Sequence, residues 1–277
     1  MYFIKSKYEP VELKKGDNFA IYTIDNISYI TFCDYDHIYI RLVIIPNQTK
    51  IKYMYKDCLA SKRIIQSDRY YIFNRKTIIK FHFDIKKGYV NMASFHGCIN
   101  ILQFMKDIGL LNLKNYYSYN HILMDEASKE GRINVLEWWK NSELNLEYTN
   151  ESLRCASSIG NIDILNWWKN SGLELKYNYE AIDYASQHGN IHVLSWWKDS
   201  GLKLKYSVWS LGYPLCCCKI DVLEWWKNSG LPFDNTHNVI NSCLHKLRID
   251  ITPDNTKVLQ WWSNNSSLLN INKIDPR

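Results

Sequence analysis

The sequence predicts an α-solenoid of helix-pair repeats with a 29-residue period, preceded by a small, mostly β N-terminal domain. Three observations carry this reading. Tryptophan pairs stand at 138/139, 167/168, 196/197 and 225/226, so the string Trp-Trp-Lys recurs four times at a fixed interval of 29 residues. A fifth pair, Trp261-Trp262, follows after 36 residues, and Phe104-Met105 holds the same slot 34 residues before the first pair. Residues 1–84 lack this repeat and carry short β-branched and aromatic runs instead, such as 18–24 and 37–46, separated by polar breaks. The expected organisation is therefore a β-rich domain or cap over 1–84 and a repeat array over 85–277. The array has about six units, the last two irregular.

Within one unit, Leu153 and Ala156 lie three apart on one side of a short helix. Ile182 and Ala185 repeat the pattern, as do Leu123 or Met124 with Ala127. Gly160, matched by Gly97, Gly131 and Gly189, is placed to end that helix in the left-handed conformation and let the chain double back. A second helix then carries Ile164, Leu165, Trp167 and Trp168 on a wide apolar face, with Asp163, Asn166 and Asn170 opposite. Gly109, Gly172, Gly201 and Gly230 fall where this helix would be capped, but Glu143 occupies the slot once. A positive φ there costs a non-glycine residue about 1–2 kcal/mol. After the cap, Leu173 and Leu175 alternate with Glu174 and Lys176 in a short extended connector.

Helices of fewer than about 12 residues are marginal alone, so stacking of neighbours must supply most of the stability. Trp138, Trp168 and Trp197 are accordingly expected to be largely buried between successive units. Pro214 falls at the position of Ala185 and Cys218 at the glycine slot, which predicts a first helix that is kinked, shortened or shifted. The last unit inserts seven residues around Ile249–Asp254.

The segments 131–148, 160–177 and 189–206 share a Gly-x-Ile-x-[Val/Ile]-Leu-x-Trp-Trp-Lys core. This pattern resembles the ankyrin-like repeats encoded by large DNA viruses of amoebae, over roughly residues 90–270. Ala127, Ala156 and Ala185 match the alanine of the first ankyrin helix. Gly131, Gly160 and Gly189 match the glycine between helices, and Gly172 and Gly201 the glycine after the second. The units are shorter than the usual ankyrin length of about 33 residues. They lack the threonine-proline opening, and asparagine replaces the histidine that follows the central glycine. The resemblance therefore implies a reduced hairpin between units. The run 36–66 is similar to the leader found before such repeats, where it implies a cap.

Composition excludes several classes. Hydrophobic residues make up 46% and charged residues 22%, which is not the make-up of a disordered chain. No run of 18 apolar residues occurs, so no membrane partner is expected. Residues 1–90 carry 16 Lys and Arg against 9 Asp and Glu, whereas the remaining residues carry 18 against 19. The repeats are thus not a basic stripe, and nucleic acid is not their expected ligand. Residues 1–12 do not resemble a signal peptide, so the eight cysteines are read as free thiols in a reducing, cytoplasmic compartment, the host cytoplasm if the chain is viral.

No phosphate-loop, zinc-protease or nucleophile-elbow string is present. Cys216-Cys217-Cys218 lacks the spacing that aims two thiolates at one zinc ion. No catalytic residue, cofactor or metal is expected. The function that follows is a non-enzymatic protein–protein interaction scaffold or adaptor. Its partner is another protein, of host or virus. At a three-then-four spacing, the first helices present Asp125 with Lys129, then Glu151, Arg154 and Ser158, then Glu180, Asp183 and Gln187 as a solvent-facing candidate partner-binding face. Trp209 lies at the position of Glu180, outside the pairs, and His188 and His192 are read as surface residues. The alternative places an enzymatic or nucleic-acid-binding activity in the basic N-terminal domain, through Lys50, Lys52, Lys56, Lys62 and Arg63.

Overall fold

The computed structural model describes residues 2–6, 19–23, 39–44, 51–55, 58–61, 65–68, 70–81, 87–112, 121–146, 148–233, 237–250 and 252–268. The chain is mostly helical, with an antiparallel sheet near its N-terminus. It forms two compact units, residues 1–123 with 137–146 and residues 124–136 with 147–277.

In the first unit the strands are β1 (Tyr2–Ser6), β2 (Phe19–Thr23), β3 (Tyr39–Ile44), β4 (Ile51–Tyr55), β5 (Cys58–Ser61), β6 (Ile65–Gln66) and β7 (Tyr70–Tyr71). They pair antiparallel in the order β4-β5-β2-β1-β3-β6, and β7 also pairs with β3. Phe3 lies opposite Leu42, and Ala20 opposite Ala60. Three helices follow: α1 (Arg75–Phe81), α2 (Lys87–Phe95) and α3 (Ile99–Asp107). Aromatic rings join sheet to helices across residue 84. Phe73 packs between Tyr71 at 5.7 Å and Tyr89 at 5.0 Å, and the Tyr89 hydroxyl donates to the Ile72 carbonyl at 2.5 Å. This is why the compact unit runs on into the helices.

The helices that follow come in pairs. First members are α4 (His121–Lys129), α6 (Glu151–Ile159), α8 (Glu180–His188) and α10 (Trp209–Cys216). Second members are α5 (Ile133–Lys140), α7 (Ile162–Asn170), α9 (Ile191–Asp199) and α11 (Ile220–Ser229). The chain ends in a longer pair, α12 (His237–Ile249) and α13 (Pro253–Asn265), and the inserted residues are taken up by this lengthening. Helices α6, α8, α10 and α12 pack side by side in chain order, with α7, α9, α11 and α13 behind them.

In the four pairs spaced 29 residues apart the second residue is the buried one, whereas in the fifth pair Trp261 is buried and Trp262 half-buried. Trp139, Trp168, Trp197 and Trp226 are almost wholly enclosed, while Trp138, Trp167, Trp196 and Trp225 are half-buried. The expectation for Trp138 is therefore corrected. It shares its slot with Trp167 and Trp196, not with Trp168. Adjacent residues on a helix point about 100° apart, so only one ring of each pair can face the core. The two rings of a pair meet edge to face, for example at 5.1 Å between Trp196 and Trp197.

Each buried indole is also hydrogen-bonded. Trp168, Trp197 and Trp226 donate through Nε1 to Ser128, Ser157 and Ser186 at 2.9, 3.0 and 3.0 Å. Each serine is on the first helix of the preceding pair. Trp139 does the same to Ser94 within the first unit, at 3.3 Å. A connector tyrosine covers the far side: Tyr148, Tyr177 and Tyr206 lie 4.7, 5.0 and 5.1 Å from Trp168, Trp197 and Trp226. Their hydroxyls donate onward to the carbonyls of Glu174, Lys203 and Pro232. Lys176 and Lys205 return the contact, donating to the carbonyls of Tyr148 and Tyr177.

Asparagine after the central glycine has a linking role. Asn190 Nδ2 donates to the carbonyls of Ser157 and Ser158 at the end of α6, at 2.9 and 2.7 Å. A side chain on Gly160 would come within 3.1 Å of Asn190 and of His192, so left-handed φ and close approach both require glycine there. Helix α10 starts in register but ends one residue early, at Cys216, with Pro214 inside it. Of the three outcomes expected for this helix, shortening is the one found.

Glu143 has φ 59°, against 75–78° for Gly109, Gly172 and Gly201 in the same slot. An added Cβ at Gly172 or Gly201 meets nothing within 4 Å, so the conformation alone disfavours a side chain here. Glu143→Gly should therefore raise the unfolding free energy by about 0.5–1 kcal/mol, the relief of left-handed strain less the greater freedom of the unfolded chain. Urea titration monitored by tryptophan fluorescence measures this. No change, or a loss, would contradict it.

Candidate interaction face

The exposed faces of the first helices in the second unit are set by what lies behind them. Met124, Leu153, Ile182 and Leu211 share one buried slot, and Ala127, Ala156, Ala185 and Pro214 another. Helices α8 and α10 are each flanked by a first helix on both sides, so their buried arc is wider than one apolar stripe. On α8 it takes in Ala181, Ile182, Asp183, Ala185 and Ser186.

Asp125 and Asp183 therefore do not belong to a solvent-facing surface, and their assignment to the partner-binding face is corrected. They are 7% and 2% exposed. Asp125 accepts from the Thr149 backbone N–H and hydroxyl at 3.1 and 2.7 Å, and from the Ser152 hydroxyl at 2.5 Å. Asp183 accepts in the same way from the Ser207 N–H at 2.9 Å, the Ser207 hydroxyl, and the Ser210 hydroxyl at 2.5 Å. Each carboxylate thus holds the turn that opens the next first helix. The pattern was present in the sequence: aspartate is followed by a hydroxyl residue at 24 and again at 27 positions on, while Arg154, in the same slot, is followed at those spacings by Asn178 and Ala181.

The other predicted residues remain at or near the surface. Lys129 pairs with Glu126 at 3.5 Å. Arg154 grips Glu151 through Nε and Nη2, at 2.8 and 2.5 Å to Oε2, and its guanidinium lies 5.0 Å over the ring of Tyr184. The Glu151 hydrogen bond is also the main reason that Arg154 holds its proton more tightly than usual. Ser158 meets His188 Nδ1 at 3.3 Å. Glu180 accepts from the Asn150 and Asn178 side chains at 3.4 and 3.1 Å. Gln187 is half-buried, and its Oε1 is enclosed with no hydrogen-bond partner among the described residues.

Sequence spacing did not pick out the aromatic residues of this face. Glu126, Cys155, Tyr184 and Tyr213 share one slot, and the last two are rings. Tyr184 lies 6.2 Å from Tyr213, and Tyr213 stacks on Trp209 at 5.0 Å. Trp209 is 40% exposed and nearby Tyr179 51%. Arg154, Tyr184, Tyr213 and Trp209 thus form a continuous row across α6, α8 and α10. Burial pushes the Cys155 thiol above its ordinary value, which leaves it protonated and a poor nucleophile.

Among the described residues, no three His, Cys, Asp or Glu side chains converge as metal ligands would. No described helix is long and apolar enough to cross a membrane. The side chains of Lys50, Lys52, Lys56, Lys62 and Arg63 lie outside the described residues. No protein-family model matches the chain, and no curated protein matches it significantly.

Burial raises the Asp183 carboxyl above its ordinary value, against the lowering effect of its three donors. The folded state therefore binds this proton more readily than the unfolded chain, whose aspartates titrate near about 3.9. The group's contribution to stability is full below that value and is lost as pH rises through the folded value. Between about pH 3 and about pH 7, wild-type unfolding free energy should fall relative to that of Asp183→Asn, in which the titration is gone. Urea unfolding at matched pH measures the difference. Parallel curves would contradict a buried, titrating carboxylate.

Proposed function

We propose that this chain is a non-enzymatic protein–protein interaction module, an ankyrin-like solenoid whose partner docks on the outward face of its first helices. The observation that carries this reading is the row Arg154–Tyr184–Tyr213–Trp209. Slots that hold Glu126, Cys155 and Glu151 elsewhere hold rings here, although burial does not demand them. Interfaces concentrate their energy in Trp, Tyr and Arg anchors surrounded by more neutral contacts. Stacking among these rings, and of Arg154 on Tyr184, holds them in place before a partner arrives, which lowers the entropy lost on binding. In stacked helix-pair arrays the surface lined by one helix of every unit is the extended binding surface. The 29-residue period and the resemblance to viral ankyrin-like repeats support the same architecture. The partner would be a protein of the host cell or the virus. Lys129, Glu151, Ser158, Glu180 and Gln187 form the polar surround of the proposed anchor.

Quantitative capture from the native cell, using the full chain as bait, tests this. Trp209→Ala with Tyr184→Ala should reduce recovery of the specific partner by about tenfold or more. Thermal denaturation should show that the variant is still folded. If recovery is unchanged, and reversing Asp163 with Asn166→Lys and Asn170→Lys abolishes it instead, the partner docks on the second helices and this assignment fails.

A further inference from the structure

We infer that Cys216 and Cys243 form a modification site at which a low-molecular-weight disulfide, such as oxidised glutathione, converts two thiols into one intramolecular disulfide. Cys216 closes α10 and Cys243 sits on α12, so the bond would clamp the longer terminal pair to its neighbour. Their sulfurs lie 2.7 Å apart. That puts the two thiols in direct contact, about 0.65 Å beyond a bonded S–S length of about 2.05 Å. The two side chains therefore already converge.

The surroundings single out this pair. Cys218 is turned away, its Sγ bonded to Asn255 Oδ1 at 3.1 Å, and Cys217 is exposed to solvent. Cys243 is buried, while Cys216 keeps partial access to solvent. Gly212 leaves room for α12 to approach, since an added Cβ would stand 2.9 Å from Val239. Without Cys243, the triple cysteine looks like a degenerate repeat. With it, one of the three thiols has a partner 27 residues along the chain, close to one repeat away.

The steps balance. Cys216 loses its proton, and its thiolate attacks one sulfur of the small disulfide, forming a mixed disulfide and releasing one thiolate. Cys243 then attacks the Cys216 sulfur, forming the Cys216–Cys243 bond and releasing the second thiolate. The two cysteine protons end on the two released thiols, so two protein thiols are oxidised and one small disulfide is reduced. Burial pushes the Cys243 thiol up to about 12, so the second step should accelerate with rising pH.

The test incubates the full chain with oxidised glutathione, then maps its peptides by mass spectrometry and measures its Tm. The expected product is a Cys216–Cys243 cross-linked peptide, with a Tm about 5–10 °C above that of the reduced chain, because the bond closes a long loop. Cys217→Ser should keep both effects. Cys216→Ser should lose both while melting, when reduced, close to the reduced wild type, and Cys243→Ala provides a second check should that variant fold poorly. A stable glutathione adduct on Cys216 with no cross-link, a cross-link through Cys217, or a cross-linked chain with unchanged Tm would each overturn the inference.

Discussion

In three successive second helices the buried indole lies against the first helix of the preceding pair and donates its N–H to a serine there. Trp168 with Ser128, Trp197 with Ser157 and Trp226 with Ser186 repeat this bond at distances that differ by only 0.1 Å. Helices of eight or nine residues cannot persist alone. What holds them is a large apolar ring that only a neighbour can cover, combined with a polar atom that only that neighbour can satisfy. Burying the ring supplies the energy, and the N–H fixes the register, because a slip of one residue would strand it without an acceptor. The connector tyrosines and lysines close the other side of the same ring. At the end of the chain this device lapses: Leu215 stands in the serine slot, and Trp262 is only half-buried. Thr252 caps α13 instead, accepting from the Asn255 N–H at 3.2 Å, and Trp261 reaches Glu224 at 2.5 Å.

Much of this was legible in the sequence, because the slots that pack cannot drift. The 29-residue spacing, the glycines between helices and the alanines of the first helix each meet a steric demand that one residue type satisfies. Trp138 was misplaced because a tandem pair does not reveal which ring turns inward. The polar partners were hidden for a related reason. A serine that accepts from a buried indole looks, in sequence, like any surface serine. Asp125 and Asp183 were misread because amphipathic spacing treats a helix as having one buried side, and these helices also set a flank against the start of the next first helix. Their hydroxyl partners one turn into the next unit were the available signal, since the aspartate and its hydroxyls come and go together from unit to unit.

The same packing explains where function can reside. With most inward slots committed, each first helix is left a narrow outward strip. It runs from Glu126 through Cys155 to Tyr184 and Tyr213, gaining rings along the array without any gain in buried core. Arg154 shows the balance in one residue. It replaces the structural aspartate of its slot, gives up that link to the next unit, and instead grips Glu151 and covers Tyr184. The cysteine-rich pair marks the opposite case, a unit whose core slots have drifted: Pro214 shortens its first helix, and Cys218 takes the glycine position with φ 54°.

The claim that tryptophan–serine pairs hold neighbouring helix pairs in register is tested most directly by a double-mutant cycle on Trp197 and Ser157. Trp197→Phe keeps most of the ring and removes the donor, and Ser157→Ala removes the acceptor with little change in volume. If the bond is a specific stabilising link, the two losses are not additive, and urea unfolding returns a coupling energy of about 1 kcal/mol or more. Losses that add to within about 0.3 kcal/mol would mean that the indole is held by apolar contact alone, and would contradict the account.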